Sequence, residues 1–476
     1  MNEIEKKYSA IDASCRVPLL VLFGVASIWL VIGLALAIIA SLTFHKPELF
    51  SNFPFFTYGR AQPAANDAII YGFALPAALG VMLWIFARLS ESELLLPLLA
   101  IVAANIWLLG VLIGVVAILI GDSTGFTWLE FPRPASVLLF AAFLLIAISA
   151  AATVGARRER ALQPPHWFLL AALFWFPWIY STANLFLVAW PVRGVTQAVI
   201  DWWYSNNLIF VWLGLVGLGV AFYLLPKIAQ RPLQNRYFVL FAFWTFILFA
   251  PWLGMPQSAP VPAWLTSASA AASILTVLPF IAIAVAFAST VRGARVQCKG
   301  GPYCYVKFAT VVFIVSALML LVTGQSWFGT VVDMTWYMPS QTYLQIFGFF
   351  AIVICGAAYE LLPDVMASKL PFRGFVRAQH WLFMIGTAVL VVPLAIAGIR
   401  QGLELQTSMK FNEIVNGTLN YLRVSSVGYL FLLLGSLLFA MNIFAMTTAW
   451  LAQSAKSLAA SFAASFDGED SREVKS

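Results

Sequence analysis

The sequence predicts an all-α integral membrane protein, on three observations. First, 62% of its 476 residues are hydrophobic and only 10% are charged, more apolar surface than a soluble domain can bury. Second, apolar runs long enough to cross a bilayer of about 30 Å recur along the whole chain. Third, basic residues alternate in density from one connecting segment to the next, as topology demands. The apolar runs fall near 18–42, 66–88, 95–121, 136–155, 166–190, 206–225, 236–254, 267–289, 303–324, 342–362, 380–400 and 423–451. They define a single twelve-helix membrane domain over 1–453, followed by a polar tail over 454–476 that is expected to fray. The first run is too long for a signal peptide and no small-residue cleavage site follows it, so it is expected to remain as a helix.

With twelve spans both termini share one side. Of the 27 Lys and Arg residues, only Lys46, Arg60, Arg133, Arg193, Arg400, Lys410 and Arg423 fall on the other. The positive-inside rule then places both termini in the cytoplasm. The bias accounts for the net charge of +7 and calls for no nucleic-acid partner. Cys15 and Cys355 are isolated and read as small apolar packing. Cys298 and Cys304 fall in a loop assigned to the cytoplasm, where a disulfide is not expected and where no His stands near to build a metal site. There is no C-x-x-C-H, so no covalently attached haem is expected.

Several stretches together resemble subunit I of the cbb3-type cytochrome c oxidases, the C family of haem–copper oxidases, related to nitric oxide reductases. Asp201-Trp-Trp-Tyr-Ser-Asn-Asn207 leads to Tyr223-Leu-Leu-Pro-Lys227 and Arg231-Pro232, where that family has W-W-Y-x-H-N, Y-x-x-P-K and R-P. Tyr58-Gly-Arg60, Pro63 and Ala68 resemble its F-G-R…P-x-H-x-N-A run. Gly348 through Tyr359-Glu-Leu-Leu-Pro363 resembles the pattern ending Y-x-L-x-P. Tyr421-Leu-Arg423, Pro47-Glu-Leu49 and Ile385-Gly-Thr387 also fit. The resemblance runs from the first helix to the last and implies a twelve-transmembrane-helix subunit I-like bundle.

It also implies where metal ligands belong, and none stands there. The helix 2 haem ligand falls on Ala65 and the copper ligand of W-W-Y-x-H-N on Asn206. The paired copper histidines fall on Pro256 and Gln257, and the helix 10 haem ligands on Gln341 and Tyr343. The active-site tyrosine falls on Ala250 and the helix 9 glutamate on Gln325. Haem in this family takes axial imidazoles and the copper takes three, yet the chain has only three His. His45 reads as a solvated loop residue, while His166 and His380 read as capping or interfacial residues. Met255, Met338 and Tyr343 are the residual candidates for an unusual haem ligand. The chain is therefore read as having no catalytic residue, no metal and no cofactor of its own. The vacated volumes are expected to be filled by aromatic side chains, lipid or another ligand.

Among membrane charges, Asp67, Asp333, Glu360 and Asp364 are expected to be solvated or ion-paired near the interfaces. Tyr223 remains from a helix 6 pair whose other member is Phe222, so the family's proton path is in doubt. Two functions fit. One is a haem- and copper-free scaffold or docking platform for membrane-anchored c-type cytochrome subunits, which would carry haem c, in a respiratory complex of the bacterial inner membrane. Its outward face would offer Glu48, Asp122, Glu130, Asp201, Asp333, Glu404 and Glu413. The other is a redox-active subunit using a quinol, bound by Gln341, Tyr343 or Asn206, or an atypically ligated haem. No internal repeat supports a transporter.

Overall fold

The computed structural model describes residues 3–158, 161–292, 298 and 301–473. Arg160, Arg295, Lys299 and Lys475, counted above for the charge bias, lie outside the described residues. Eleven helices are long and apolar enough to span a membrane. They are α1 (Glu3–His45), α2 (Tyr58–Ser90), α3 (Pro97–Ile120), α4 (Arg133–Gly155), α5 (Pro164–Ala189) and α6 (Val195–Ala229), then α8 (Ala263–Val291), α9 (Pro302–Thr323), α10 (Tyr337–Met366), α11 (Arg373–Leu405) and α12 (Phe411–Glu473). The shorter apolar helix α7 (Arg236–Trp252) completes the expected twelve. An even number of spans returns the C-terminus to the N-terminal face, here called the termini face.

Three helices form the centre. α2, α6 and α10 are buried nearly all round; α1 is about two-thirds buried, and about half of the apolar stretch of each other spanning helix faces outward. Exposed Leu98, Phe174, Trp244 and Val392 are what a lipid-facing ring carries. Each central helix widens into a π-turn: at Ala68–Ala74, at Asn207–Trp212 and at Leu344–Ala351. Such turns rotate the side chains around them and recur at functional sites.

The centre is held by aromatic rings set against glycines. A Cβ at Gly72 would stand 2.5 Å from Trp29 Cβ, and one at Gly217 2.4 Å from Phe349 Cζ. Phe313 bridges Phe349 and Phe210, with centroids at 4.7 and 5.9 Å, and Phe246 and Phe280 join them.

The last helix is described through Glu473. One expectation needs correcting. Cys298 and Cys304 form a disulfide, with Cα atoms 5.2 Å apart. The compartment argument against it gave no weight to the six-residue spacing, which lets the loop double back onto the first turn of α9.

Candidate functional site

The vacated positions do not all meet. Asn206, Gln341 and Tyr343 line one cavity of about 300 Å³ together with Gly254 and Met338, at the end of the bundle opposite the termini. Ala65 is fully buried at the α1–α2 contact and lines neither this cavity nor the next. Gly33 of α1 passes so close there that a Cβ would come 2.7 Å from Ile69 Cγ1. Gln257 turns away, its amide directed at the carbonyl of Thr266 (3.3 Å), and Pro256 is buried in the same loop. Gln325 donates to Ser273 Oγ at 2.8 Å, tying α9 to α8.

Two of the emptied positions are spent on each other. Asn206 Nδ2 donates to the carbonyl of Ala250 at 3.0 Å. Its neighbour Asn207 donates to Pro251 O at 3.2 Å and accepts from Trp175 Nε1 at 3.0 Å. The α7 end can lie this close because Gly254 has φ +83°, and a Cβ there would fall 2.6 Å from Asn206 Cβ. The asparagine pair is a backbone lock and leaves no donor aimed at a metal.

Beside Asn206, the cavity wall carries Ser316, Gln341 and Gln345. All three are more than nine-tenths buried. Ser316 Oγ, Gln341 Nε2 and both polar atoms of the Gln345 side chain have no hydrogen-bond partner. Trp128, Trp202, Phe210 and Ile209 supply apolar walls, and no Asp, Glu, Lys, Arg or His lines the space. Trp128 holds φ +63°, a conformation costing about 1–2 kcal/mol, and its carbonyl accepts from Tyr71 at 2.5 Å.

A second cavity of about 220 Å³ adjoins the first through Asn66 and Tyr343 and is lined also by His45, Tyr58, Gln62 and Tyr429. Gln62 Nε2 donates to the Tyr343 hydroxyl at 3.2 Å. His45 ends α1 half-buried, with Nε2 3.3 Å from Ser426 Oγ and Nδ1 unpartnered, and so corrects the expectation of a solvated loop residue. His166 caps α5 as expected, accepting from the Gln163 backbone N–H at 3.2 Å. His380 is buried against Tyr305, ring centroids 4.6 Å apart.

Asp67 departs most from expectation. It is completely buried and has no cationic partner; its carboxyl meets that of Glu130, also buried. Burial pushes the Glu130 carboxyl up to about 7. Tyr71 and Tyr204, hydroxyls 2.5 Å apart, lie beside the pair. Asp333 is also buried without a cation; burial raises its carboxyl, and the Ser258 backbone N–H (2.9 Å) and hydroxyl hold the charge. Glu360 and Asp364 are ion-paired as expected, at 3.3 and 3.1 Å from Lys227 Nζ.

This donor set does not fit the metals of the resembled family. Where imidazoles would stand are a methyl group, a proline ring, two amides engaged elsewhere, and an amide and a phenol in the cavity wall. Among the described residues no three His, Cys, Asp or Glu side chains cluster as a metal site.

Residues 17–431 match the family Cytochrome C and Quinol oxidase polypeptide I. The chain belongs to this family. It is 23% identical over 448 residues to the cbb3-type cytochrome c oxidase subunit CcoN1 of Stutzerimonas stutzeri, covering 90% of this chain and 93% of that one. It is 22% identical to a cytochrome c oxidase subunit 1 homolog of Azorhizobium caulinodans, covering 89% and 80%. A solved haem–copper terminal oxidase dimer shares the fold at 15% identity, with a TM-score of 0.74 over 90% of this chain and 84% of that one. The subunit I-like fold of the cbb3 type, read from the ordered motifs, is therefore established for a multi-pass membrane protein of the haem–copper oxidase superfamily.

Sequence reasoning missed Ser316 and Gln345. Each is a lone polar residue well inside an apolar run, and that is the signal that could have found them. It also missed the Asp67–Glu130 pair, whose members lie 63 positions apart.

Proposed function

We propose that this chain is a haem- and copper-free subunit I-like protein that serves as scaffold and docking platform for membrane-anchored c-type cytochrome subunits in a bacterial respiratory complex. Both termini lie in the cytoplasm and the cavity end faces the outer side of the inner membrane. The observation that carries this reading is the Asn206–Ala250 lock: the place of a copper ligand and the place of the active-site tyrosine are joined by a 3.0 Å hydrogen bond, which fixes the fold while leaving no donor for a metal. The relatives are named as oxidase subunits, and a bundle kept over its whole length with its ligands replaced suits a structural partner in such an assembly. The test is affinity isolation of the full chain from its native membrane, with haem staining after denaturing electrophoresis. The reading expects a haem-c-bearing chain to co-isolate in fixed ratio; isolation of the chain alone, or only with haem-free partners, contradicts it.

A second reading is favoured by the 300 Å³ cavity. Left empty, it would cost on the order of 7 kcal/mol at about 24 cal/mol per Å³, comparable with the whole stability of a domain, so water or a ligand occupies it. The neutral walls and the unpartnered amides of Gln341 and Gln345 suit an uncharged ring with carbonyl or hydroxyl groups, such as a quinone or quinol headgroup. An amide offers both donor and acceptor and so serves either redox form. Solvent extraction of the purified chain distinguishes the two: retained quinone near one per chain supports this reading, and its absence leaves the scaffold without a small-molecule ligand.

A further inference from the structure

Away from the vacated centre, a groove of about 580 Å³ lies between the first turns of α9 and α11 on the termini face. Lys307 and Arg377 stand at its rim, and both are exposed. One turn further along each helix come Val311 and Trp381, 58% and 53% exposed, with Phe308 and Met384 beside them. The i, i+4 spacings 307–311 and 377–381 put cation and apolar side chain on one face of each helix, so the groove is positive at its mouth and apolar along its length. No Asp or Glu lines it. His380, 5% exposed, also lines it, and its Nδ1 has no hydrogen-bond partner.

Val311 and Trp381 are turned outward in a chain that spans the membrane, so the lower groove meets acyl chains and the rim meets headgroups. An indole one turn below two cations is the arrangement of a membrane–water interface.

We propose that this groove seats one anionic phospholipid from the leaflet on the termini side. Its phosphate lies between Lys307 and Arg377, and an acyl chain runs over Val311 and Met384 beside Trp381. Basic recesses between transmembrane helices select anionic headgroups in this way. A zwitterionic lipid brings its own cation to the rim and gains less.

The test uses the full chain, purified in mild detergent and stripped of lipid, with phosphatidylglycerol, phosphatidylcholine and inorganic phosphate as probes. Native mass spectrometry counts retained lipid and thermal unfolding reads its effect. The expected result is one phosphatidylglycerol retained per chain with a rise in Tm, and neither with phosphatidylcholine. Joint substitution Lys307→Gln and Arg377→Gln weakens retention roughly thirtyfold. Lys6→Gln with Lys456→Gln, equal in charge on the same face, retains lipid as the wild type does. Val311→Trp, which fills the groove without changing charge, abolishes retention while leaving the lipid-free Tm unchanged. Equal retention by the Lys307/Arg377 variant, equal retention of phosphatidylcholine, or the same Tm rise with inorganic phosphate alone overturns the proposal.

Discussion

The two ends of the bundle treat buried carboxylates in opposite ways. At the termini face Asp12 accepts from Arg88 at 2.8 and 2.5 Å and from Trp84 Nε1 at 2.9 Å. Arg88 also lies over the rings of Tyr8 and Trp84, and Lys227 pairs with Glu360 and Asp364. Each of these charges has a partner of opposite sign, whereas the neutral Ser90 Oγ, His166 Nε2, Gln379 Nε2 and His380 Nδ1 of the same face have no hydrogen-bond partner. At the other end the buried Asp67, Glu130 and Asp333 carboxyls have no cationic partner among the described residues. Paired groups are what a fold needs to hold together. Unpaired ones cost roughly 1–3 kcal/mol each.

Removing one partner at the structural end gives the largest expected effect. Arg88→Ala strands the buried Asp12 carboxylate and is expected to cost about 3–5 kcal/mol, measured as a loss of folded protein in detergent and a lowered Tm. Next comes the carboxyl pair. Asp67→Asn supplies an amide donor to Glu130 and removes one ionisable group, so it is expected to raise stability by about 1–3 kcal/mol at pH 8. A rise there, beside the fall for Arg88→Ala, would sharpen the contrast; a comparable fall would break it.

The carboxyl pair also fixes a pH dependence. The Glu130 carboxyl sits at about 7 in the folded chain against an ordinary value of 4.5, so the folded state holds its proton more tightly than the unfolded one. That contribution is complete below about 4.5 and is lost as the pH rises through about 7. Tm is expected to fall between pH 5 and pH 8 by a margin that Glu130→Gln abolishes, read by scanning fluorimetry of both proteins across that range. The smallest effect belongs to Gln345→Met. Replacing an unpartnered buried amide by a thioether of similar size is expected to leave Tm within about 1 kcal/mol of wild type or raise it. A drop on the scale of Arg88→Ala would show that Gln345 carries a structural bond.

The membrane fold was legible because its cause is one-dimensional. An apolar run is visible residue by residue, and each of the twelve expected spans overlaps a helix. Boundaries were less so where a helix leaves the apolar slab. α6 begins at Val195, eleven residues before the expected 206, because Gln197, Asp201 and Ser205 interrupt the run while still helical. The shortage of histidines was equally plain, since three of them cannot occupy more than three of the positions the resemblance implies. What replaced them was not. That Asn206 bonds Ala250 while Gln341 and Tyr343 share a cavity, and that Ala65 and Gln257 lie apart from it, depends on helix rotation at the π-turns, which no periodicity reports. His45 was misplaced because a residue before Lys46-Pro47 looks like loop, although the helix runs on to include it. The Cys298–Cys304 bond runs against the compartment rule, which takes no account of the short spacing between the two cysteines.

The central claim is that a complete subunit I fold persists here without its metals. The most direct test is to isolate this chain free of any co-purifying cytochrome, then record its reduced-minus-oxidised spectrum, extract its haem and assay its copper. The account predicts neither non-covalent haem nor copper. One b-type haem per chain would contradict it and direct attention to His45, Met338 and Tyr343 around the two cavities.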